Sequence, residues 1–243
     1  MDDHELAAHA TRRAAELLVE LRAAGASGAD GDLRSNDVIL ELLAKERRED
    51  AVLSEESKDS AERLSAQRVW IVDPLDGTRE FGEPGRIDWA VHVALVVDGT
   101  PTAAAVALPA EGLVLSTASP PKLAPASTRR PRLVVSRSRP PALASFLADR
   151  LGADLVPLGS AGAKTMAVVR GTADVYAHAG GQYEWDSAAP VGVASAAGCH
   201  CSRLDGAPLR YNEPDPYLPD LLVCRPELAD AVLTAVADAP KLG

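Results

Sequence analysis

Residues 69–81 read Val-Trp-Ile-Val-Asp-Pro-Leu-Asp-Gly-Thr-Arg-Glu-Phe, a segment that few folds can accommodate. A buried-type strand ends in two aspartates, Asp73 and Asp76, held three apart across a proline. Pro74 restricts the turn, so both carboxylates can aim at one spot beyond the strand's end. Two carboxylates that close cannot both ionise cheaply without a cation between them. Gly77 and Thr78 then open a short helical turn whose free N–H groups would face an anion. Metal ligands beside a phosphate cradle are the parts a phosphoryl-transfer site requires. On this segment alone, Asp76 could equally cap a helix while Asp73 is solvated.

Two further acidic segments bear on that choice. Leu53-Ser54-Glu55-Glu56-Ser57 places an acidic pair directly after another short apolar strand. Glu184-Trp185-Asp186-Ser187 places an aspartate at an expected helix N-cap, with a tryptophan packing behind it. Taken singly, paired glutamates belong to solvated loops and an aspartate at a helix start is usually only a cap. The formal charge of −10 argues against nucleic acid as a partner, which needs a basic field. It also conflicts with a phosphorylated substrate unless bound divalent cations invert the local charge.

The rest of the chain supplies the frame. Apolar positions recur at helical spacing from His4 to Leu21, and a second helix is expected from about Asp32 to Arg47 after a glycine-rich loop, Ala23 to Gly31. Short β-branched runs follow up to Thr117, with a hairpin turn at Asp98-Gly99. Ala118 to Pro131, rich in Pro, Ala and Ser, reads as a linker, and beyond it strands alternate with helices. Hydrophobic residues make up 47% of the chain, enough for a substantial core. No run reaches the ~20 apolar residues of a membrane span. The acidic start (Asp2, Asp3, Glu5) does not read as a signal peptide. Three cysteines do not make a disulfide framework, so a cytoplasmic location is expected. Cys199, Cys201 and Cys224 read as small buried residues rather than a zinc site. His92 and His178 read as strand or loop residues rather than bases, His178 standing near enough to Asp186 to border its pocket.

With all three acidic segments present in this order, the chain resembles the inositol monophosphatase superfamily of metal-dependent, lithium-sensitive phosphatases. Within it, the likeness is to the CysQ-like 3′(2′),5′-bisphosphate nucleotidases. Glu55-Glu56-Ser57, Asp73-Pro74-Leu75-Asp76-Gly77-Thr78 and Trp185-Asp186 carry the likeness, which runs over nearly the whole chain. Arg79-Glu80-Phe81, Val135-Ser136-Arg137-Ser138-Arg139, Gly159-Ser160-Ala161-Gly162-Ala163-Lys164 and the Asp205–Asn212 run resemble the nucleotidase branch in particular.

The resemblance implies an α+β fold, a layered α-β-α-β-α sandwich of the inositol monophosphatase and fructose-1,6-bisphosphatase type. Its N-terminal half, 1–125, would carry most metal ligands, and its C-terminal half, 126–243, Asp186 and the substrate contacts. It implies two to three magnesium ions. Glu55, Asp73 and the Leu75 carbonyl would hold the first, Asp73, Asp76 and Asp186 the second, and a weaker third would share Glu55. Thr78 would orient the attacking water and be held by an aspartate of the second helix. Asp32 fits the family spacing to Glu55 without a gap, whereas Asn36 or Asp37 would need a one-turn deletion. Gly77, Thr78, Arg79, Ser136, Arg139, Ser160 and Lys164 would contact substrate. The implied reaction is hydrolysis of 3′-phosphoadenosine 5′-phosphate by direct attack of water. Inositol monophosphates or fructose 1,6-bisphosphate are alternative substrates, and a catalytically silent nucleotide or metal sensor is the alternative of another class. The implied partners are the small-molecule substrate and no membrane, and a homodimer is compatible with the resemblance.

Overall fold

The computed structural model describes residues 1–126, 129–138, 140 and 142–240. Strands β1 (Ala51–Ser54), β2 (Arg68–Asp76), β3 (Ala90–Val97), β4 (Thr100–Leu108) and β5 (Leu113–Ser116) form one sheet in chain order. β1 runs parallel to β2 and the other neighbours are antiparallel. Strands β6 (Arg132–Ser136), β7 (Asp154–Leu158), β8 (Val175–Tyr183), β9 (His200–Ser202) and β10 (Tyr217–Cys224) form a second sheet in the order β7-β6-β8-β10-β9. It is parallel across β7, β6 and β8, and antiparallel beyond. The helices are α1 (Asp3–Ala23), α2 (Gly28–Glu46), α3 (Thr78–Gly82), α4 (Ala142–Leu151), α5 (Ala161–Val169), α6 (Glu184–Ala196) and α7 (Ala229–Ala237).

The layering follows from strand alternation. Successive side chains point to opposite faces, so a strand apolar throughout must be covered twice. Along β2, Trp70 and Val72 pack with Leu6 and Leu18 of α1 and Ile39 and Leu43 of α2. Val69 and Ile71 turn the other way, into a cluster with Met166 of α5 and Val193 of α6. Along β10, Leu221 and Val223 enter that same central cluster, whereas Leu222 and Cys224 pack with Leu147 of α4 and Val232 of α7. The order is therefore α1/α2, first sheet, α5/α6, second sheet, α4/α7, the five-layer α+β sandwich that the resemblance implied. Among the described residues no helix is long and apolar enough to cross a membrane.

Two element boundaries differ from expectation. Gly28 and Gly31, expected to lie in a loop, instead open α2, which starts at Gly28 behind a Ser27 N-cap that accepts from Asp30 N at 3.1 Å. They serve close packing: a Cβ at Gly28 would lie 2.4 Å from Thr78 Cγ2, and one at Gly31 would lie 3.1 Å from Leu75 Cδ2. Likewise α6 starts at Glu184 with Tyr183 as its N-cap, so Asp186 sits within the first turn rather than at the cap.

Candidate active site

β2 is buried from Val69 to its end. Parallel pairing with β1 sets Ser54 opposite Val72, and Glu55 N donates to Val72 O at 3.2 Å, so Glu55 emerges beside the end of β2. The β2–β3 register breaks between Asp73 and Asp76, where Pro74 has no N–H to offer a ladder. Asp73 is 1% exposed and its Oδ1 accepts from Leu75 N at 3.1 Å, which ties the turn to its own carboxylate. Gly77 then reverses the chain at φ +92°, and a Cβ there would lie 3.3 Å from Ser160 Cβ, so glycine suits both backbone and neighbour. This delivers Thr78 to α2. Its Oγ1 lies 3.2 Å from both Asp32 Oδ2 and the Leu75 carbonyl.

The second sheet's side of the site converges on Asp76. Ser160, at φ +44°, caps α5 by accepting from Ala163 N at 3.0 Å and donates its own proton to Asp76 Oδ2 at 2.5 Å. Gly162 N donates to the same oxygen at 2.7 Å. His92, fully buried on β3 opposite Asp73, brings Nε2 to 3.2 Å from that oxygen as well. Its Nδ1 lies 3.0 Å from the Trp185 carbonyl, which can only accept, so Nδ1 carries a proton. His92 thus links the aspartate turn to the first turn of α6, where Asp186 Oδ2 accepts from Tyr183 N at 2.7 Å. A Cβ at Gly162 would lie 2.0 Å from His92 Nε2, so only glycine lets α5 approach this closely.

Crowding of like charge dominates the electrostatics. Burial, followed by the charges of Asp76, Glu55 and Asp186, pushes Asp73 well above the usual carboxylate range. Glu55, open to solvent at the rim, is raised to about 7, first by desolvation and then by Asp186 and Asp76. Asp186 is raised to about 6 by desolvation and by Asp76. Asp32 is raised to about 7 by desolvation and by Glu56. Asp76 goes the other way. Burial opposes its charge, but the neighbouring His92, with help from Lys164 and Ser160, holds it at about 2. Burial also opposes charge on His92, and the carboxylate of Asp76 outweighs it to raise the imidazole.

The remaining residues singled out by sequence are placed as follows. Lys164 is buried; its Nζ donates to the carbonyls of Gly159 at 3.0 Å and Ser160 at 2.6 Å and sits 5.3 Å from the Tyr176 ring. It therefore braces the Ser160 turn. Arg79 is exposed on α3, and Ser136 ends β6 half-buried. Arg139 lies outside the described residues. His178 bonds the Gly181 carbonyl within its own strand region at 3.2 Å. Burial pushes the Cys199, Cys201 and Cys224 thiols up to about 12, 11 and 12, which keeps them neutral. The functional neighbour that sequence reasoning missed is His92, read only as a strand residue. The available signal was a polar side chain alone in the apolar run Val91–Val97.

The donor set suits a hard divalent cation. Asp73 and Asp76 each offer a carboxylate oxygen within 4.8 Å of the other and of His92, and the charges of Glu55 and Asp186 act on the same pair. Buried Asp32 Oδ1 has no hydrogen-bond partner among the described residues. All three contacts to Asp76 fall on Oδ2, which leaves Oδ1 to a cation. His92 turns its two nitrogens to the Trp185 carbonyl and to Asp76 Oδ2, so the donors left for an ion are oxygens, as magnesium and calcium prefer.

The chain resembles known proteins in both sequence and fold. The chain is 54% identical over 223 residues to a 3′-phosphoadenosine 5′-phosphate phosphatase of Mycobacterium bovis, covering 87% of this chain and 82% of the relative. It is 48% identical over 256 residues to the protein of the same name from Mycobacterium leprae, covering 98% and 94%. The crystal structure of CysQ from Bacteroides thetaiotaomicron superposes with a TM-score of 0.81 at 26% identity, covering 91% of this chain and 96% of that one. The sequence profile of the inositol monophosphatase family matches residues 28–240. On that match, and on its identity to the mycobacterial relatives, the chain belongs to the inositol monophosphatase family.

Proposed function

We propose that the chain is a magnesium-dependent phosphatase that removes the 3′-phosphate of 3′-phosphoadenosine 5′-phosphate to leave AMP. One observation carries the chemistry: Asp32, Glu55, Asp73, Asp76 and Asp186 crowd together until four of them ionise reluctantly. Such a cluster is stabilised by divalent cations, and it disfavours an anionic substrate without them. The choice of substrate draws support from the mycobacterial relatives, which carry that activity in their names at 54% and 48% identity.

In this reading Glu55, Asp73, Asp76, Asp186 and the Leu75 carbonyl hold two to three magnesium ions. Bound there, the ions would supply Lewis-acid activation of water and neutralise charge on the departing oxygen. The protein's own part is positional. Thr78 Oγ1, 3.2 Å from Asp32 Oδ2, accepts a hydrogen bond from the attacking water while donating to the carboxylate. Asp32, whose Oδ2 lies within hydrogen-bond reach of Thr78, is placed to receive that proton. Ser160 and Gly162 hold Asp76 by one oxygen and keep the other turned to the site. Ser136, Arg139 and Arg79 would contact the rest of the substrate, with Gly77 and Thr78 beside the phosphate. The halves 1–125 and 126–243 would each supply part of the site, since Ser160 bonds Asp76 between the two sheets.

The test is phosphate release with and without magnesium, and then with lithium, from 3′-phosphoadenosine 5′-phosphate, AMP, inositol 1-phosphate and fructose 1,6-bisphosphate. A clear kcat/KM preference for the bisphosphonucleotide is expected. Comparable rates on the inositol and sugar phosphates would leave the chemistry standing and remove the substrate. No magnesium-dependent release from any of them would return the chain to the class of non-catalytic sensors.

A further inference from the structure

Aromatic residues are scarce in this chain, with three Trp, four Tyr and two Phe. Of these, Tyr183 and Tyr217 are the ones that stand in solvent, 46% and 48% exposed. They are also direct cross-strand partners on β8 and β10, with ring centroids 6.1 Å apart at 83°. Tyr183 stacks in turn on Trp185, 4.8 Å away and within 9° of parallel. Gly181, at φ +87°, leaves room for Tyr217, whose ring a Cβ there would meet at 2.6 Å. Both tyrosines are therefore held by neighbours while nearly half of each residue remains in solvent. The arrangement adjoins the carboxylate cluster, because the main-chain N–H of Tyr183 donates to Asp186 Oδ2 at 2.7 Å.

Exposed, immobilised aromatic rings offer a planar ligand a stacking surface at little conformational cost. A ligand that carries a flat π-face one sugar ring away from a phosphate is a nucleoside phosphate. Inositol and sugar phosphates have no such face. We propose that Tyr183 and Tyr217 form a stacking platform for the purine base of the substrate, and so determine specificity for nucleotides. This rests on the nucleotidase reading above and deepens it.

The experiment compares the unsubstituted protein with Tyr183→Ala, Tyr183→Phe and Tyr217→Ala, all with magnesium. The substrates are 3′-phosphoadenosine 5′-phosphate, its abasic analogue bearing the same two phosphates, and inositol 1-phosphate. AMP binding by calorimetry provides a readout apart from turnover. Tyr183→Ala keeps the backbone donor to Asp186. A lost base stack corresponds to a KM for the nucleotide raised roughly 5- to 150-fold. AMP affinity should fall by a similar factor, kcat should change little, and KM for the abasic analogue should not move. Tyr183→Phe should behave as the unsubstituted protein. Equal losses on the nucleotide and the abasic analogue would reveal a structural role and overturn the platform, as would an unchanged nucleotide KM in both alanine variants. If the unsubstituted protein releases phosphate from inositol 1-phosphate and none from the nucleotide, the nucleotidase reading fails and the platform with it.

Discussion

Gly162→Ala probes the contact on which the site's geometry depends. An added Cβ would meet His92 Nε2 at 2.0 Å and its Cδ2 and Cε1 at 3.0 Å, where comfortable contact begins near 3.5 Å. The imidazole is fully buried and tied to Trp185 O and Asp76, so it has no exit to solvent. Overpacking of this kind costs about 1–3 kcal/mol. In a protein of this size each kcal/mol lowers Tm by roughly 2–4 °C, so a drop of about 2–12 °C is expected. The same change disturbs Gly162 N and the imidazole, both of which hold Asp76 Oδ2. Displacing that carboxylate by on the order of 1 Å should lower kcat/KM by about 10²-fold. Thermal denaturation in chelator and phosphate release with magnesium measure the two effects separately. Gly82→Ala is the control, since a Cβ there meets nothing within 4 Å. The decisive comparison is a double-variant cycle with His92→Ala, which removes the clashing ring and should show a coupling of about 0.5–3 kcal/mol. An identical loss in both backgrounds, or no loss in Gly162→Ala, would refute the packing argument.

Three other outcomes are expected. Thr78→Ala and Asp32→Asn should each lower kcat by about 10²–10⁴-fold while KM changes little; a pure KM effect in steady-state kinetics would contradict the proton path from Thr78 to Asp32. Asp73→Asn should abolish both phosphate release and the rise in Tm on adding magnesium, yet leave the metal-free Tm unchanged or higher, because a desolvated and repelled charge is removed. Retained magnesium stabilisation in that variant would count against Asp73 as a ligand. In chelator, stability should fall as pH rises from about 4 to 7: Asp32 and Glu55 at about 7 and Asp186 at about 6 bind more protons folded than unfolded across that window. Excess magnesium should flatten or reverse the slope, and a metal-free Tm that climbs with pH there would show that the cluster is not crowded as described.

Much of the site was legible along the chain because its parts are local. The Asp73-Pro74-Leu75-Asp76-Gly77-Thr78 turn carries its own constraints: a proline that interrupts the ladder, a glycine at positive φ, and a carboxylate bonded to Leu75 N two residues on. The five layers were implied by the family resemblance, and the structure shows their physical basis in strands apolar on both faces that need cover on each. Asp32 came from the family resemblance, through its distance to Glu55, and the structure brings its Oδ2 to Thr78. The start of α2 was misread because Gly28 and Gly31 look like loop residues, when their lack of a side chain serves packing against Thr78 and Leu75.

The contacts that complete the site join residues far apart in sequence. Gly162 N reaches Asp76 across 86 positions and His92 reaches the Trp185 carbonyl across 93. Sequence alone determined which residues are acidic, which strands are buried and where the chain must turn, since these depend on neighbours a few positions away. Periodicity shows which face of an element is apolar but not which partner will cover it. Only the packing of α5 and α6 between the two sheets therefore decided that His92 would meet Asp76, and only the register of β8 with β10 decided that Tyr183 would face Tyr217.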